Sequence, residues 1–564
     1  MADPVLSARG VHVRFDTQAG QVHAVRGIDL DLHPGETVAL VGESGAGKSA
    51  FAKAILHLHQ LPFTPNRTHI DGTIALHAPF KATLSDGDPE VIRTARARAV
   101  GMIFQDALSA LNPVQRIGPQ IAEALRQAAP EATPEDVDRA VLDVVGAIGL
   151  PTPEETIHAY PHQLSGGQCQ RVVIAVAAVR HPVALIADEP TTALDVTVQA
   201  QILKLLKSLQ DLRGMAMLFI THDLGVVADI ADRVAVMRNG EVVELGDTRR
   251  VFTHPQHPYT RTLLASRPGS RGHGWGASPP ANGGQAASEA APIVLANGGQ
   301  AASEAAPIVL ANAVSFSYGG GLFERRRSGF VLDQASLRVD TGHVHGIVGE
   351  SGSGKSTLGR LLLGFLKPSS GQIETCGETP FGLRGDARRR FRRNVQVIYQ
   401  DSATALNPRL TLGRSAAEGL EINGQSVAKA RAEVQRLFDL VQLPEALMDR
   451  FPHEVSGGQR QRVCIARALA TKPKLLIADE PVTALDVSVQ ARILELFAEL
   501  QSDLGLTMLF ISHDLGVIRE LCSRVSVMHQ GRVVETGTAD QVLSHPETDY
   551  TRTLIPSLPT HAWA

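Results

Sequence analysis

The stretch GESGAGKS at residues 42–49 recurs almost unchanged as GESGSGKS at residues 349–356. Both copies fit the pattern G-x-x-x-x-G-K-[ST], and each follows a short apolar run, TVALV or HVHGIV, of the kind that forms a buried parallel strand. The glycines of such a loop let backbone N–H groups turn toward an anion, and the helix that follows adds partial positive charge. The sequence therefore predicts two phosphate-binding loops, each between a strand and a helix.

The repetition extends over most of the chain. PHQLSGGQCQRVVIAVA (161–177) matches PHEVSGGQRQRVCIARA (452–468), and LIADEPTTALDVTVQAQIL (185–203) matches LIADEPVTALDVSVQARIL (476–494). Because these pairs align without gaps, the repeated unit is a whole domain rather than a short motif. We therefore predict two homologous domains, which we call domain one and domain two.

Domain one is expected at residues 5–268 and domain two at residues 308–564, with a linker at 269–307 between them. The linker is rich in Gly, Ala, Ser and Pro and contains ANGGQAASEAAPIVL twice in succession, a 15-residue tandem duplication. Since this composition buries little apolar surface, we expect a flexible tether, and we interpret the duplication as neutral. The residues PIVLANAVSF at its end are expected to start the first strand of domain two.

Composition limits the class of protein. The chain has 564 residues, of which 43% are apolar and 20% charged, and its net charge of -4 gives no indication of bulk nucleic-acid binding. It shows no secretion signal and no run of the roughly 18 to 20 apolar residues that span a bilayer, so we expect it not to cross a membrane. Its four cysteines lack C-x-x-C spacing, which argues against zinc, iron–sulfur and disulfide chemistry and favours a reducing compartment.

The polar side chains of the two loops suit a nucleotide. Lys48 and Lys355 are expected to reach the β- and γ-phosphates, and Ser49 and Ser356 to place a hydroxyl on Mg²⁺. A glycine turn without a ligand is the alternative, but two matches after two apolar strands disfavour it.

An apolar strand that ends in two carboxylates, LIADE, occurs once in each domain. Asp188 and Asp479 are expected to hold Mg²⁺ through water, and Glu189 and Glu480 to orient and polarise an attacking water. Either pair alone could be a solvated strand end. The phosphate loop upstream favours the metal–nucleotide interpretation.

A helical segment precedes each SGGQ sequence. TPEDVDRAVLDVVGAIGL (133–150) begins with a candidate N-cap at Thr133 and repeats apolar residues at helical spacing, as does its counterpart at 426–443. The predicted apolar face consists of Val137, Val141, Val144, Val145 and Ile148. We therefore expect each domain to combine an α/β core with a helical insertion.

The sequences LSGGQ (164–168) and VSGGQ (455–459) complete a resemblance. The chain resembles the ATP-binding subunit of ATP-binding cassette (ABC) transporters, with two nucleotide-binding domains fused in tandem. The resemblance covers nearly the whole chain outside the linker. It implies an α/β fold with two P-loop NTPase (RecA-like) ATPase domains, each with a helical subdomain, and it implies ATP hydrolysis with Mg²⁺.

The resemblance also implies a role for each motif residue. The catalytic residues would be Glu189, His222, Glu480 and His513. The ATP-binding residues of domain one would be Phe15, Gly42, Ser44, Gly45, Gly47, Lys48, Ser49, Ala50, Gln105, Ser165, Gly166, Gly167, Gln168 and Asp195. Those of domain two would be Tyr318, Gly349, Ser351, Gly352, Gly354, Lys355, Ser356, Thr357, Gln400, Ser456, Gly457, Gly458, Gln459 and Asp486. The Mg²⁺ ligands would be Ser49, Gln105, Asp188, Ser356, Gln400 and Asp479.

Some of these assignments have alternatives. Phe15 and Tyr318, which resemble the adenine-stacking aromatic, could instead be core residues of a strand. A lone histidine is usually structural, but His222 and His513 recur at the same distance after the Asp-Glu pair, each behind an apolar strand.

In the family, two such domains pack head to tail. The phosphate loop of one faces the SGGQ of the other, so ATP binds between them and hydrolysis releases them. We expect this pairing within the chain and expect both sites to hydrolyse ATP. Two departures from the family pattern, Ala50 opposite Thr357 and Cys169 opposite Arg460, are expected to tune affinity or rate.

Two further motifs narrow the branch of the family. Gln105 in MIFQD and Gln400 in VIYQD resemble the Q-loop glutamine of the family. ALNP follows each Q-loop, at 110–113 and 405–408, and the tails HPQHPYTRTLL (254–264) and HPETDYTRTLI (545–555) follow the two cores. They resemble the branch that takes up dipeptides, oligopeptides, glutathione, nickel or metal chelates. Some members carry a cysteine cluster after the tail; it is absent from this sequence, so we predict no iron–sulfur cluster.

The partners implied are two transmembrane permease subunits, which contact the ATPase through coupling helices, and an extracytoplasmic solute-binding protein. The expected location is peripheral, on the cytoplasmic face of the cell membrane, without nucleic acid. The arginine-rich stretches at 324–328 and 384–394 are interpreted as solvated faces, with contact to acidic lipid headgroups as the alternative. An ABC exporter ATPase, or a soluble ABC ATPase that acts on ribosomes or DNA, remains the alternative function.

Overall fold

The computed structural model describes residues 3–17, 20–60, 67–150, 152–191, 194, 196–266, 307–318, 330–483 and 485–555. The chain divides into two compact units, one mainly within Met1–Arg267 and the other mainly within Pro268–Thr548. Each unit contains most of one copy of the repeated sequence. The linker predicted at 269–307 lies outside the described residues except for Pro307, so its flexibility stays a prediction.

The elements of domain one alternate between strands and helices. Its strands are β1 (Leu6–Thr17), β2 (Gly20–Leu32), β3 (Thr37–Val41), β4 (Arg67–Leu76), β5 (Ala82–Thr83), β6 (Val100–Ile103), β7 (Ala184–Asp188), β8 (Ala216–Ile220), β9 (Arg233–Arg238) and β10 (Glu241–Asp247). Its helices are α1 (Lys48–Ile55), α2 (Pro89–Arg98), α3 (Ala107–Ala110), α4 (Ile117–Ala128), α5 (Pro134–Ala147), α6 (Pro153–Thr156), α7 (Gly166–Ala178), α8 (Val196–Arg213), α9 (Leu224–Ile230), α10 (Thr248–Thr253) and α11 (Pro258–Ala265).

Two sheets form the core of domain one. The six-stranded sheet has the order β10-β9-β3-β8-β7-β6, and its strands run parallel except β10, which pairs antiparallel with β9. An antiparallel sheet of order β2-β1-β4-β5 packs through the same apolar cluster. The central strands β3, β7 and β8 are buried along their whole length, which explains their continuous apolar sequences. Their carboxyl ends meet at one edge, where parallel α/β sheets bind ligands.

Domain two repeats this series of elements. Its strands are β11 (Pro307–Phe316), β12 (Leu332–Asp340), β13 (Val344–Val348), β14 (Ser370–Thr375), β15 (Val395–Ile398), β16 (Leu475–Asp479), β17 (Thr507–Ile511), β18 (Arg524–His529) and β19 (Arg532–Thr538). Its helices are α12 (Lys355–Leu362), α13 (Gly385–Asn394), α14 (Ser402–Ala405), α15 (Leu412–Ile422), α16 (Val427–Leu440), α17 (Gly457–Leu469), α18 (Val487–Leu504), α19 (Leu515–Leu521), α20 (Ala539–Ser544) and α21 (Asp549–Leu554).

The sheets of domain two have the same connectivity. Read from the opposite edge, the order β15-β16-β17-β13-β18-β19 is that of the six-stranded sheet in domain one. A smaller antiparallel sheet, β12-β11-β14, accompanies it. The first strand of the domain is PIVLANAVSF, as the sequence predicted. The prediction of two α/β P-loop domains is therefore confirmed.

The predicted helical insertion is present in both domains. Thr133 caps α5, since its side chain accepts a hydrogen bond from the backbone N–H of Asp136. The predicted apolar face is buried against α4 and α7, and it consists of Val137, Val141, Val144, Val145 and Ile148. In domain two, α16 packs in the same way against α15 and α17. These helices place the SGGQ sequences at the starts of α7 and α17.

Two further expectations concern the arginine-rich stretches and membrane-spanning helices. Helix α13 carries the arginine-rich sequence, and Phe391 is its buried residue, so the arginines line solvated sides of the helix. The other arginine-rich stretch, 324–328, lies outside the described residues. Among the helices that the structure describes, none combines the length and the apolar character needed to cross a bilayer.

Candidate nucleotide sites

The two phosphate loops have matching geometry. Each loop connects a central strand to a helix that starts at the loop lysine, β3 to α1 and β13 to α12. Glycine is required at Gly47, whose φ is 102° and where a Cβ would lie 2.2 Å from the carbonyl oxygen of Ala24. The equivalent Gly354 has a φ of 100°. A larger residue at either position would displace the start of the helix that follows.

The loop lysines are buried and point back into their own loops. Lys48 Nζ donates to the carbonyl oxygens of Gly42, at 2.7 Å, and Glu43, at 3.0 Å. Lys355 Nζ makes the same bonds in domain two, at 2.8 Å each. Burial lowers the pKa of Lys48, and the negative charge of Glu189 opposes that shift. A buried ammonium group in a concave loop of backbone N–H groups is suited to a phosphate.

Each loop serine contacts the aspartate at the end of a neighbouring strand. Ser49 Oγ donates to Asp188 Oδ1 at 2.8 Å, and Ser356 Oγ donates to Asp479 Oδ1 at 2.9 Å. Burial raises the pKa of both aspartates, and the adjacent glutamate in each domain raises it further. A nearby cation would favour the ionised carboxylates, so this environment fits a metal.

The donor set also fits Mg²⁺. The hydroxyl, carboxylate and amide oxygens near each phosphate loop are hard ligands of the kind that Mg²⁺ prefers. In the described part of the chain, no group of three or more His, Cys, Asp or Glu residues is arranged to hold a metal. A Mg²⁺ site with few protein ligands, completed by phosphate oxygens and water, needs no such group.

The glutamate after each aspartate is the centre of a hydrogen-bonded cluster. In domain one, Gln105 Nε2 donates to Glu189 Oε2 at 2.8 Å, and His222 Nδ1 lies 3.4 Å from Glu189 Oε1. In domain two, the corresponding distances from Glu480 are 2.7 Å to the glutamine and 3.4 Å to the histidine. The glutamine is Gln400 and the histidine His513. The structure thus brings together residues that are far apart in sequence.

Both glutamates have a left-handed backbone, a feature that the sequence analysis missed. The φ angle is 48° at Glu189 and 49° at Glu480, which is uncommon for a residue other than glycine. The backbone N–H of each glutamate donates to the strand next to it, to Ile220 and Ile511 respectively, at 2.9 Å. Backbone strain of this kind concentrates at functional sites, and here it aims the carboxylate at the phosphate loop edge of the sheet.

The pKa of the histidine is raised in both domains. Burial lowers the pKa of His222, but the hydrogen bond and the charge of Glu189 outweigh it, so that the pKa is raised overall. His513 and Glu480 repeat this balance. A histidine with a raised pKa can donate to a phosphate oxygen while it stays paired with a carboxylate.

The two predicted adenine-stacking residues differ in their surroundings. Phe15 is half-buried and meets His59 edge to face, with ring centroids 4.9 Å apart. Tyr318 is exposed, and its hydroxyl lies 3.5 Å from that of Thr357. Ala50 stands in place of that threonine in domain one. The ring of Tyr318 also meets a neighbour edge to face, Phe316, with centroids 5.0 Å apart, so the two residues differ mainly in exposure: Tyr318 is exposed, whereas Phe15 packs against the core of its domain.

The SGGQ residues of each domain, which we call the signature, form the first turn of a helix. Ser165 Oγ accepts from the backbone N–H of Gln168 at 3.3 Å, and Gln168 Oε1 accepts from the backbone N–H of Ser165 at 2.9 Å. Ser456 and Gln459 form the same capping box at the start of α17. Both serines are exposed, so the two helices start at the protein surface, and a helix N-terminus carries partial positive charge.

The structure brings most of the predicted side chains of each domain to one edge of the sheet: the loop lysine and serine, the Asp-Glu pair, the Q-loop glutamine and the histidine. The signature residues lie apart from this cluster, at the starts of α7 and α17. Asp195 lies outside the described residues. The functional roles of all these residues, including Asp486, stay predictions.

Comparison with known families identifies the class of protein. The family model for ABC transporters matches residues 25–192 and 332–483, one match in each domain. The model for the C-terminal region of oligopeptide/dipeptide transporters matches residues 243–291 and 534–563. This chain belongs to the ABC transporter family, and it is an ABC-type ATPase.

Several characterised relatives match over nearly the whole chain. The peptidoglycan transport ATP-binding protein YejF of Agrobacterium fabrum is 41% identical, over 98% of this chain and 96% of its own length. The glutathione import ATP-binding protein GsiA of Salmonella choleraesuis is 42% identical, over 98% and 89%. The oligopeptide transport ATP-binding protein OppD of Mycobacterium tuberculosis is 40% identical, over 99% and 98%. The predictions of family, branch and ATP hydrolysis are confirmed, and the relatives favour the importer over the exporter and the soluble factor.

Proposed function

We propose that this chain is the ATP-hydrolysing subunit of an importer for peptides or related small solutes, such as dipeptides, oligopeptides, glutathione, nickel or metal chelates. The observation that carries the proposal is the match to the oligopeptide/dipeptide transporter C-terminal region, which occurs once after each ATPase core. The names of the relatives support the same range of cargo.

The proposed hydrolysis follows from the cluster around each glutamate. In domain one, Lys48 and the loop N–H groups bind the β- and γ-phosphates, and Glu189 orients the attacking water. Gln105 holds one carboxylate oxygen of Glu189 and His222 lies near the other, so the carboxylate is kept in place. Ser49, Gln105 and Asp188 would hold Mg²⁺, which would supply positive charge to the phosphate oxygens.

We infer that domain two works in the same way through Lys355, Ser356, Gln400, Asp479, Glu480 and His513. Their distances agree with those of domain one to about 0.2 Å or better. The same geometry in both domains supports two hydrolytic sites rather than one active and one degenerate site.

Each site is completed, in this proposal, by the signature of the other domain. Ser456 and the first turn of α17 bind the γ-phosphate of the ATP on Lys48, and Ser165 with α7 that of the ATP on Lys355. The exposed serines and solvent-facing helix starts support this, because they present hydrogen-bond donors and a favourable helix end to an incoming anion. Asp195 and Asp486 would contribute to ATP binding, as the family resemblance implies.

The proposed partners are two permease subunits and an extracytoplasmic solute-binding protein, with this chain peripheral on the cytoplasmic face of the membrane. Exposed apolar side chains around the Q-loop of domain one support a docking surface for a permease helix. They are Phe104, Leu108 and Val114.

Purification of the chain from its native membranes, followed by mass spectrometry, tests the proposal. We expect two polytopic proteins and a solute-binding protein whose trapped ligand identifies the cargo. Permeases without a binding protein would indicate export, and ribosomal proteins or DNA without a permease would refute the transporter assignment for this chain.

A further inference from the structure

The helix that starts at the signature is anchored differently in the two domains. In domain two, Arg460 and Arg467 lie two turns apart on α17, and so on the same side of the helix. Arg460 Nη1 donates to the carbonyl oxygens of Val455, at 3.0 Å, and Pro452, at 3.3 Å. Arg467 Nη1 donates to the carbonyl oxygen of Ala405 at 2.6 Å.

The carbonyl groups that accept these bonds lie close in sequence to residues of the proposed site. Val455 directly precedes the signature serine, so Arg460 fixes the backbone that leads into the signature. Ala405 is the last residue of α14, which starts two residues after the Q-loop glutamine. Arg467 therefore ties the signature helix to the segment that follows the Q-loop.

Electrostatics adds to this second connection. Asp401, the N-cap of α14, has a lowered pKa, chiefly because it accepts a hydrogen bond from the backbone N–H of Ala403, and the charge of Arg460 contributes. Both ends of α14 thus interact with an arginine of α17, one through space and one through a hydrogen bond.

Domain one lacks both arginines. The equivalent residues of α7 are Cys169 and Val176. Cys169 is fully buried, burial raises the pKa of its thiol, and its Sγ lies 3.4 Å from the carbonyl oxygen of Pro161, a weak contact compared with a guanidinium hydrogen bond. Val176 has no side-chain donor.

Among the arginines of α7 and α17, only Arg460 and Arg467 have no counterpart in the other domain. Arg171 of α7 and Arg462 of α17 are equivalent, and each donates to the C-terminal end of the preceding helical insertion, at Ile148 and Val441. The two signature helices are therefore anchored alike on that side. The contrast lies on the side that faces the signature backbone and the Q-loop segment.

We propose that Arg460 and Arg467 are positioning residues that hold the signature of domain two ready for the γ-phosphate, so that the two ATP sites turn over at unequal rates. This rests on the proposed head-to-tail pairing, in which the signature of domain two completes the site of Lys48. That site is then faster than the site of Lys355, because preorganised donors stabilise the transition state more than mobile ones.

Site-resolved trapping tests this inference on the full chain in its transporter complex. The complex is incubated briefly with Mg²⁺, vanadate and the photoreactive analogue 8-azido-ATP, irradiated, digested with trypsin and analysed by mass spectrometry. Because the probe attaches close to the adenine, the labelled peptides show which phosphate loop held the trapped nucleotide. In the wild type we expect label on domain one to exceed that on domain two by about threefold to tenfold.

Two variants exchange these residues between the domains. Each is expected to bring the ratio of the two labels closer to one, by a change in a different domain. Arg460→Cys with Arg467→Val should reduce labelling of domain one until the ratio is near one. Cys169→Arg with Val176→Arg should instead raise labelling of domain two. Arg436→Cys, which removes an exposed arginine of α16 paired with Glu433, is the matched control and should leave the ratio unchanged.

A structural role alone would lower both labels together without changing their ratio. Equal labelling in the wild type, or a ratio that neither exchange shifts, would overturn the inference. If Cys169→Arg with Val176→Arg fails to fold, Arg460→Cys with Arg467→Val still tests the inference, because that variant introduces smaller side chains rather than larger ones. If no ATP-dependent trapping occurred at either loop, the proposed ATPase cycle itself would fail, which is a different result from equal trapping.

Discussion

Domain one and domain two are nearly identical where phosphate chemistry is proposed and differ in the interior beneath it. The bonds around Glu189 and Glu480 match closely, but the cores diverge two strands away in the sheet. In domain two, His345 of β13 is buried and its Nε2 lies 2.9 Å from Ser526 Oγ. Domain one has Val38 and Ala235 at these positions. The two domains therefore differ in this buried polar pair, although the geometry of their sites is closely similar.

The largest expected effect concerns the glutamates. Replacing Glu189 or Glu480 with Gln should lower ATP hydrolysis by about a hundredfold or more at the affected site, because the carboxylate that polarises water is lost. Nucleotide binding should persist, and bound ATP should accumulate. Phosphate release and retained nucleotide are the measurements, with Glu90→Gln, an exposed residue of α2, as the control. If Glu189→Gln left hydrolysis and transport intact, the two domains would not be functionally equivalent.

The signature serines provide the next test. Ser456→Ala should reduce hydrolysis at the site of Lys48 by roughly tenfold, since one hydrogen bond to the γ-phosphate is lost. Ser165→Ala should do so at the site of Lys355. Vanadate trapping resolved by domain distinguishes the two. Loss at the opposite site in each case would mean that each domain uses its own signature, against the proposed pairing.

The buried histidine predicts a difference in acid stability. Burial lowers the pKa of His345 to about 4, against an ordinary 6.5. The unfolded chain therefore binds a proton that the folded domain excludes between these values, and the free energy of unfolding falls as the pH drops through this window. The loss should reach about 3 kcal/mol by pH 4.

This effect is measured by urea denaturation at pH 7 and pH 5. The proteins compared are the wild type and the double variant His345→Val with Ser526→Ala. The double variant copies the core of domain one and should lose less stability on acidification. Parallel losses in both proteins would show that His345 is not the group responsible.

The smallest expected effect is at the position after the loop serine. Ala50→Thr should strengthen nucleotide binding to domain one, and Thr357→Ala should weaken it in domain two, each by a few-fold, as for one hydrogen bond worth about 1 kcal/mol. Binding of a fluorescent ATP analogue in the background of the other site's Lys→Ala variant measures this. No change in either direction would indicate that the hydroxyl contacts Tyr318 rather than the nucleotide.

Sequence alone predicted the parts of each site that depend on local pattern. The phosphate loops, the Asp-Glu strand ends and the helix capped by Thr133 each follow from the spacing of residue types, so the structure places them as expected. The left-handed backbone of Glu189 was not predictable, since it depends on how a strand end meets its neighbour. The contacts of Arg460 and Arg467 were missed for a similar reason: their acceptors are backbone carbonyls, which have no sequence signal.

The backbone of the two glutamates bears on how this chain has evolved. At a φ near 48°, the backbone of glycine or asparagine would be less strained than that of glutamate, with a conformational free energy lower by about 1 kcal/mol. A mutation that inactivated either site in this way would therefore relieve the backbone strain at that position, although the bonds of the glutamate to the glutamine and the histidine would be lost. Selection for folding alone would let such mutations accumulate, and a duplicated domain offers a copy in which they could spread. Both copies nevertheless retain glutamate, which is the outcome expected if natural selection has acted on turnover at each site separately.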